Sequence, residues 1–175
     1  MSRVVIVGLG SVASKHIAAL SEIGGYEIYA LRSGLSSAEL SGVKSLHSLK
    51  ELEAVHPDFA IISNPTFLHT KTIEALLKYG MPLFIEKPLS DNLDCYGLLE
   101  KISKNHIFTY VACNLRFLPC ISFLKEKIKD RRINEADIYC GSYLPEWRKT
   151  DYRKSYSSNR AAGGGADLDL IHAVY

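Results

Sequence analysis

Short apolar runs alternate along this chain with stretches in which apolar residues recur every three or four positions. Arg3 to Val7 is a β-rich run that ends at Gly8. Ala13, Ile17 and Leu20 then fall on one face of a helix, and Gly24-Gly25 stops it. Glu27 to Leu31 and Val43 to Leu46 read as strands, Leu49 to Val55 as a short helix, and Phe59 to Ile62 as a buried strand. Pro65 suits the first turn of a helix carrying Ile73, Leu76 and Leu77 and ending at Gly80. Leu83 to Ile85 is the next strand. Asp91 or Asn92 is expected to cap a helix containing Leu98, Leu99 and Ile102, and Ile107 to Cys113 follows as a strand.

Strand and helix alternating at this spacing predict a parallel sheet covered on both faces by right-handed crossovers. The rhythm changes near residue 115. Leu118 to Lys129 reads as a helix and Ile133 to Tyr143 as a strand. A polar, aromatic loop with Trp147, Tyr152 and Tyr156 leads to Gly163-Gly164-Gly165 and a last apolar stretch. The expected fold class is α/β: a Rossmann-type doubly wound sheet over residues 1–115, then the beginning of a second, α+β domain over 116–175.

Composition adds few constraints. The 175 residues are 47% apolar and 23% charged with a net charge of +2, so neither disorder nor a nucleic-acid partner is indicated. The basic stretch Lys125 to Arg132 is broken by Glu126 and Asp130 and reads as the solvated end of a helix. No run reaches the roughly 20 apolar residues of a membrane span. The start, Met1-Ser2-Arg3, enters the first strand without a signal-peptide pattern, so a cytoplasmic protein is expected. Cys95, Cys113, Cys120 and Cys140 form no Cys-x-x-Cys pair and have no histidine at ligand spacing. They are expected to be free thiols packed mostly as small apolar residues, with no metal site.

The most informative local pattern is Gly8-Leu9-Gly10-Ser11-Val12-Ala13, between a predicted strand and a predicted helix. Gly8 permits a tight turn, and Gly10 leaves room for a pyrophosphate against the backbone of Ser11 and Val12. Ala13 lets the helix pack closely on the sheet. The N–H groups and dipole at the helix start favour phosphate charge. NAD enzymes usually carry an acidic residue about 20 residues further on. Here the second strand ends Ala30-Leu31-Arg32-Ser33, with no carboxylate. Arg32 and Ser33 could bind a 2′-phosphate, which favours NADP over NAD. Alternatively Arg32 is a surface residue stacking on adenine.

Several motifs in order resemble the Gfo/Idh/MocA oxidoreductases, which include glucose–fructose oxidoreductase and inositol dehydrogenase. Gly8-Leu9-Gly10 with Ala13 and His16 resembles the family's first turn and helix. Ser63-Asn64-Pro65 with His69 resembles its fourth-strand loop, which borders the nicotinamide. Glu86-Lys87-Pro88 is similar to its signature tripeptide. Asn114-Leu115-Arg116-Phe117 with Pro119 resembles the start of its second domain, and Gly163-Gly164-Gly165 with Asp169 and His172 resembles the helix that carries its catalytic histidine.

The resemblance implies hydride transfer between a nicotinamide and a carbinol carbon of a sugar, polyol or nucleotide sugar. Asn64, Pro65, His69 and Glu86 would join the cofactor site. Lys87 would polarise the substrate oxygen, with Pro88 cis as in the family, and His172 would move the proton. Asp169 would orient His172 or bond substrate, although it precedes His172 by three residues where many members have four. Each also has a structural reading: Lys87 as a solvated lysine, His172 as a core histidine, and His16 and His69 as packing residues. Arg116, Trp147 and Tyr152 could line a sugar pocket or simply pack their loop. Family members carry a complete second domain that often forms a homo-oligomer interface. This chain is therefore expected to be a fragment or a truncated product. In that case the alternative is a dinucleotide-binding module without catalysis, or a regulatory or partner-binding remnant of an oxidoreductase.

Overall fold

The computed structural model describes residues 1–32, 40–147, 151–165, 168 and 170. The chain divides into two compact units, Met1–Val111 and Ala112–Tyr175.

The first unit is a parallel six-stranded sheet. Its strands are β1 (Ser2–Val7), β2 (Tyr26–Leu31), β3 (Val43–Leu46), β4 (Phe59–Ile62), β5 (Leu83–Ile85) and β6 (Thr109–Val111). Their order across the sheet is β3-β2-β1-β4-β5-β6. This is the doubly wound, Rossmann-type arrangement, and the order reverses between β1 and β4. Helices α1 (Ser11–Ile23), α2 (Leu52–Val55), α3 (His69–Leu77) and α4 (Tyr96–Lys104) connect the strands.

The central strands are apolar on both faces because both are covered. Val5, Val7, Ile62, Leu83 and Ile85 face one cluster with Ile73 and Leu76 of α3 and with Leu98 and Ile102 of α4. Val4, Ile6, Ile28 and Ile61 face another with Ala13 and Leu20 of α1. Gly24 ends α1 at φ 74°, and its N–H donates to the Leu20 carbonyl. Ser48 and Glu51 form a reciprocal capping box ahead of α2.

Three local expectations change. Pro65 precedes a single 3₁₀ turn, Thr66–Leu68, rather than lying inside α3. The helix after β5 begins at Tyr96, later than a cap at Asp91 or Asn92 would place it. Those polar side chains close tight local turns instead: the Asp94 N–H donates to Asn92 Oδ1 and the Asn92 N–H to Ser90 Oγ. The final strand shrinks from the expected Ile107–Cys113 to β6. The Ile107 N–H still bonds back to Ile102, and 114–117 turns as 3₁₀ helix.

In the second unit, α5 (Pro119–Ile128) and α6 (Leu144–Trp147) are joined by residues 129–143. The expected strand from Ile133 to Tyr143 does not form. A strand is held by pairing its N–H and C=O groups with a neighbour. Among the described residues this segment has no strand partner, and it is exposed throughout. Two of the four thiols also depart from expectation. Cys113 is buried and Cys95 half-buried, whereas Cys120 on α5 and Cys140 are exposed. None of the described helices is long and apolar enough to cross a membrane.

Candidate functional site

Strand register builds the site. Val7 pairs with Leu31 and with Ile62, Ile62 with Ile85, and Ile85 with Val111. The strands therefore stop at one level. The residues that follow them, Arg32, Gly8, Ser63 and Glu86, share one rim at the carboxyl end of the sheet. Ligands of open α/β sheets bind on that side, at the point where strand order reverses.

Gly8 takes φ 90°, and a Cβ there would lie 2.6 Å from the Asn64 Cα and N atoms. The turn after β1 and the loop after β4 thus touch backbone to backbone. Ser63 Oγ reinforces this seam, lying 3.2 Å from the Val7 carbonyl oxygen and 3.1 Å from that of Gly8. Gly10 caps α1 with φ −76° and ψ −175°, an ordinary extended conformation. A Cβ on Gly10 would meet nothing within 4 Å. Its glycine identity is therefore not needed for packing among the described residues. The first intrahelical bond runs from Ser14 N–H to the Gly10 carbonyl at 3.3 Å, so the amides before it lie at the open helix start. Ser11 and Val12 are exposed there, while Ala13 is completely buried against the sheet.

Arg32 follows β2 and is only 8% exposed, which excludes a solvated surface arginine. Its Nε, Nη1 and Nη2 atoms are buried with no hydrogen-bond partner among the described residues. A buried, unpaired guanidinium is strongly unfavourable and calls for an anion. Asn64 donates through Nδ2 to Thr72 Oγ1 at 2.7 Å, leaving its Oδ1 buried without a partner among the described residues. Glu86 Oε1 lies 2.7 Å from His16 Nε2, linking the β5 loop to α1, and Glu86 Oε2 accepts from the Lys87 N–H at 3.3 Å. Lys87 is half-buried on the same loop, and its peptide bond to Pro88 is cis.

His69 stands apart from the other expected cofactor contacts. It is 1% exposed, and both ring nitrogens face backbone carbonyls, so its side chain holds loops together rather than offering itself to a ligand. Burial holds its pKa below the usual imidazole value against the pull of those carbonyls and of Glu86. Pro65 is exposed at the head of the 3₁₀ turn. The open cradle at Gly10, the helix start and the polar groups on Arg32 and Asn64 that lack partners among the described residues fit a dinucleotide. Thr72 and the His16–Glu86 contact had no signal in the apolar pattern. Thr72 could have been suspected only from its place three residues after His69, on the same helix face.

Ser33, Asp169 and His172 lie outside the described residues. In the second unit, Arg116 is exposed on a 3₁₀ turn, and Trp147 is the last residue of α6. Tyr152 is half-buried beneath the Arg153 guanidinium, 4.8 Å from its ring centre.

A family model described as an oxidoreductase family with an NAD-binding Rossmann fold, GFO_IDH_MocA, matches residues 2–110. The chain belongs to the Gfo/Idh/MocA oxidoreductase family. Within it, the chain is 24% identical over 131 residues to a 2,7-anhydro-N-acetylneuraminate hydratase of Mediterraneibacter gnavus, covering 74% of this chain and 33% of that protein. It is 25% identical over 145 residues to a myo-inositol 2-dehydrogenase of Thermotoga maritima, covering 78% and 43%. The chain thus spans between a third and a half of the length of these curated relatives. Among solved structures, the WlbA (WbpB) dehydrogenase of Thermus thermophilus, in complex with NAD and UDP-GlcNAcA, superposes with a TM-score of 0.72. The identity is 24%, and the match covers 98% of this chain and 60% of that one. At that identity the likeness establishes the fold. The Gfo/Idh/MocA assignment makes the chain part of an NAD-binding oxidoreductase family.

Proposed function

We propose that this chain is the cofactor-binding part of an oxidoreductase for a sugar, polyol or nucleotide sugar, with NADP preferred over NAD. The observation that carries the reading is the rim itself. An unfilled glycine cradle at the start of α1 shares it with a buried arginine that has no partner among the described residues. The amides around Gly10 and Ser11 would hold the diphosphate, and Arg32, with Ser33 beyond it, the adenosine 2′-phosphate. Asn64 Oδ1 would accept a hydrogen bond from the ligand. Relatives named as acting on inositol or crystallised with a UDP-sugar acid support a polyhydroxylated substrate.

When bound, the nicotinamide would supply the hydride chemistry. The residues of this chain handle orientation and the proton. Lys87, beyond the carboxyl end of β5, would hold the substrate oxygen by its cationic head. Glu86, braced by His16, fixes the backbone from which Lys87 projects. His172 would exchange the proton with the substrate hydroxyl and Asp169 would orient it, while Arg116, Trp147 and Tyr152 would contact the sugar.

Fluorescence titration with NADPH and NADH, followed by turnover on a panel of sugars, tests the reading. Tighter NADPH binding with turnover supports it in full. Binding without turnover reduces the chain to a dinucleotide-binding module, and tighter NADH binding overturns the NADP preference. Failure of folded protein to bind either nucleotide overturns the whole reading.

A further inference from the structure

His69 lies where two loops of the rim meet. Its Nδ1 is 2.9 Å from the Pro88 carbonyl oxygen, on the β5 loop that carries Lys87. Its Nε2 is 2.9 Å from the Asn64 carbonyl oxygen, on the loop after β4. A carbonyl oxygen can only accept, and a neutral imidazole has a single N–H. Both hydrogen bonds therefore exist together only when the ring is an imidazolium. In the neutral ring, one nitrogen turns a lone pair toward an oxygen lone pair, and that contact must open.

The surroundings pull in opposite directions. Burial favours the neutral ring, whereas the carbonyls of Asn64 and Pro88, the Glu86 carboxylate and the Leu89 backbone favour the proton. Among the described residues, Glu86 is the charged group that acts on the ring; His16 bonds it from α1, Lys87 follows it on the β5 loop, and Lys71 lies two residues along the ring's own helix. The β4 loop segment Ser63-Asn64-Pro65 contributes no charge.

We infer that His69 is a positioning residue for Lys87: it ties the Lys87-Pro88 segment to the loop after β4, and one of its two ties holds only while the ring is protonated. The inference rests on the reading of Lys87 as the group that holds the substrate oxygen. Proton loss would release one carbonyl and loosen the backbone from which that lysine projects.

The test uses the intact chain, labelled with ¹³C and ¹⁵N and followed by NMR from about pH 5 to 8, the range in which histidines titrate. The expected result has three parts. The His69 ring passes from two protonated nitrogens to one. The carbonyl carbon of Asn64 or of Pro88 shifts at the same midpoint. The Lys87 side-chain signals move with them at that same midpoint. A ring that keeps one protonation state throughout overturns the inference. So does a ring that titrates while Asn64, Pro88 and Lys87 stay still. NADPH added to the same samples separates the two readings. Coupled shifts without nucleotide binding leave the tie standing and remove the cofactor site; binding without coupled shifts does the reverse.

Discussion

Replacing Gly10 with alanine separates ligand binding from stability, because Gly10 is not strained. Its φ of −76° and ψ of −175° suit any residue, and the added methyl meets nothing within 4 Å among the described residues. Two small terms then act on stability. Losing glycine's freedom in the unfolded chain stabilises by about 0.4–1 kcal/mol. Alanine is the poorer N-cap, at a cost of about 0.5–1 kcal/mol. They nearly cancel, so urea unfolding should show a change within about 1 kcal/mol. Nucleotide binding should respond very differently. The methyl would occupy the space through which a diphosphate reaches the helix-start amides. Losing one hydrogen bond to a charged group costs about 1.5–3 kcal/mol, or roughly a ten- to hundredfold rise in Kd. The control is Gly8→Ala, at φ 90° with a Cβ 2.6 Å from the Asn64 backbone. Backbone strain alone costs about 1–3 kcal/mol there, so this variant should lose stability as well as binding. Fluorescence titration with NADPH beside urea denaturation reads both quantities. A Gly10→Ala protein that binds NADPH as tightly as the parent would refute the cradle.

Arg32→Met should leave stability unchanged or raised, since it removes a buried charge that has no partner among the described residues. It should weaken NADPH by about tenfold or more while sparing NADH; equal effects on the two nucleotides would count against a 2′-phosphate contact. If the proposed activity holds, Lys87→Ala should retain nucleotide affinity and lose about 10²–10⁴-fold in turnover. Normal turnover by folded protein would remove Lys87 from the mechanism. Acid should weaken the first unit through His69. Its folded pKa lies below the ordinary imidazole value, so the unfolded chain protonates first as pH falls. Its contribution is full above about pH 6.5 and is lost between there and the depressed value. A histidine-dependent loss of stability on raising the pH instead would contradict this, and His69→Gln as reference isolates the term. Leu83→Ala, at a core position 1% exposed, should cost about 2–5 kcal/mol in urea unfolding. A loss under about 1 kcal/mol would mean that β5 is not central to the core.

The sequence by itself determined the alternation of strands and helices, the glycine turn and the small residue at position 13. These are local matters: periodicity follows from the geometry of each element, and the turn at Gly8 needs a positive φ, whereas the close approach of Gly8 to Asn64 and of Ala13 to the sheet came only with the fold. The same local logic misjudged Ile133 to Tyr143, because a strand needs a partner that periodicity cannot supply. It also misplaced the start of α4, where the Ser90, Asn92 and Asp94 turns compete with the helix. Tertiary structure alone decided the strand order and register that bring Gly8, Arg32, Ser63 and Glu86 to one rim. It alone buried Arg32 without a partner among the described residues, and it set both nitrogens of His69 against the carbonyls of Asn64 and Pro88, from two separate loops of the chain. The physical reason is shared by all three. Burial and hydrogen-bond satisfaction depend on what the fold brings alongside a side chain, and neighbours in space are not written in the spacing of neighbours in sequence.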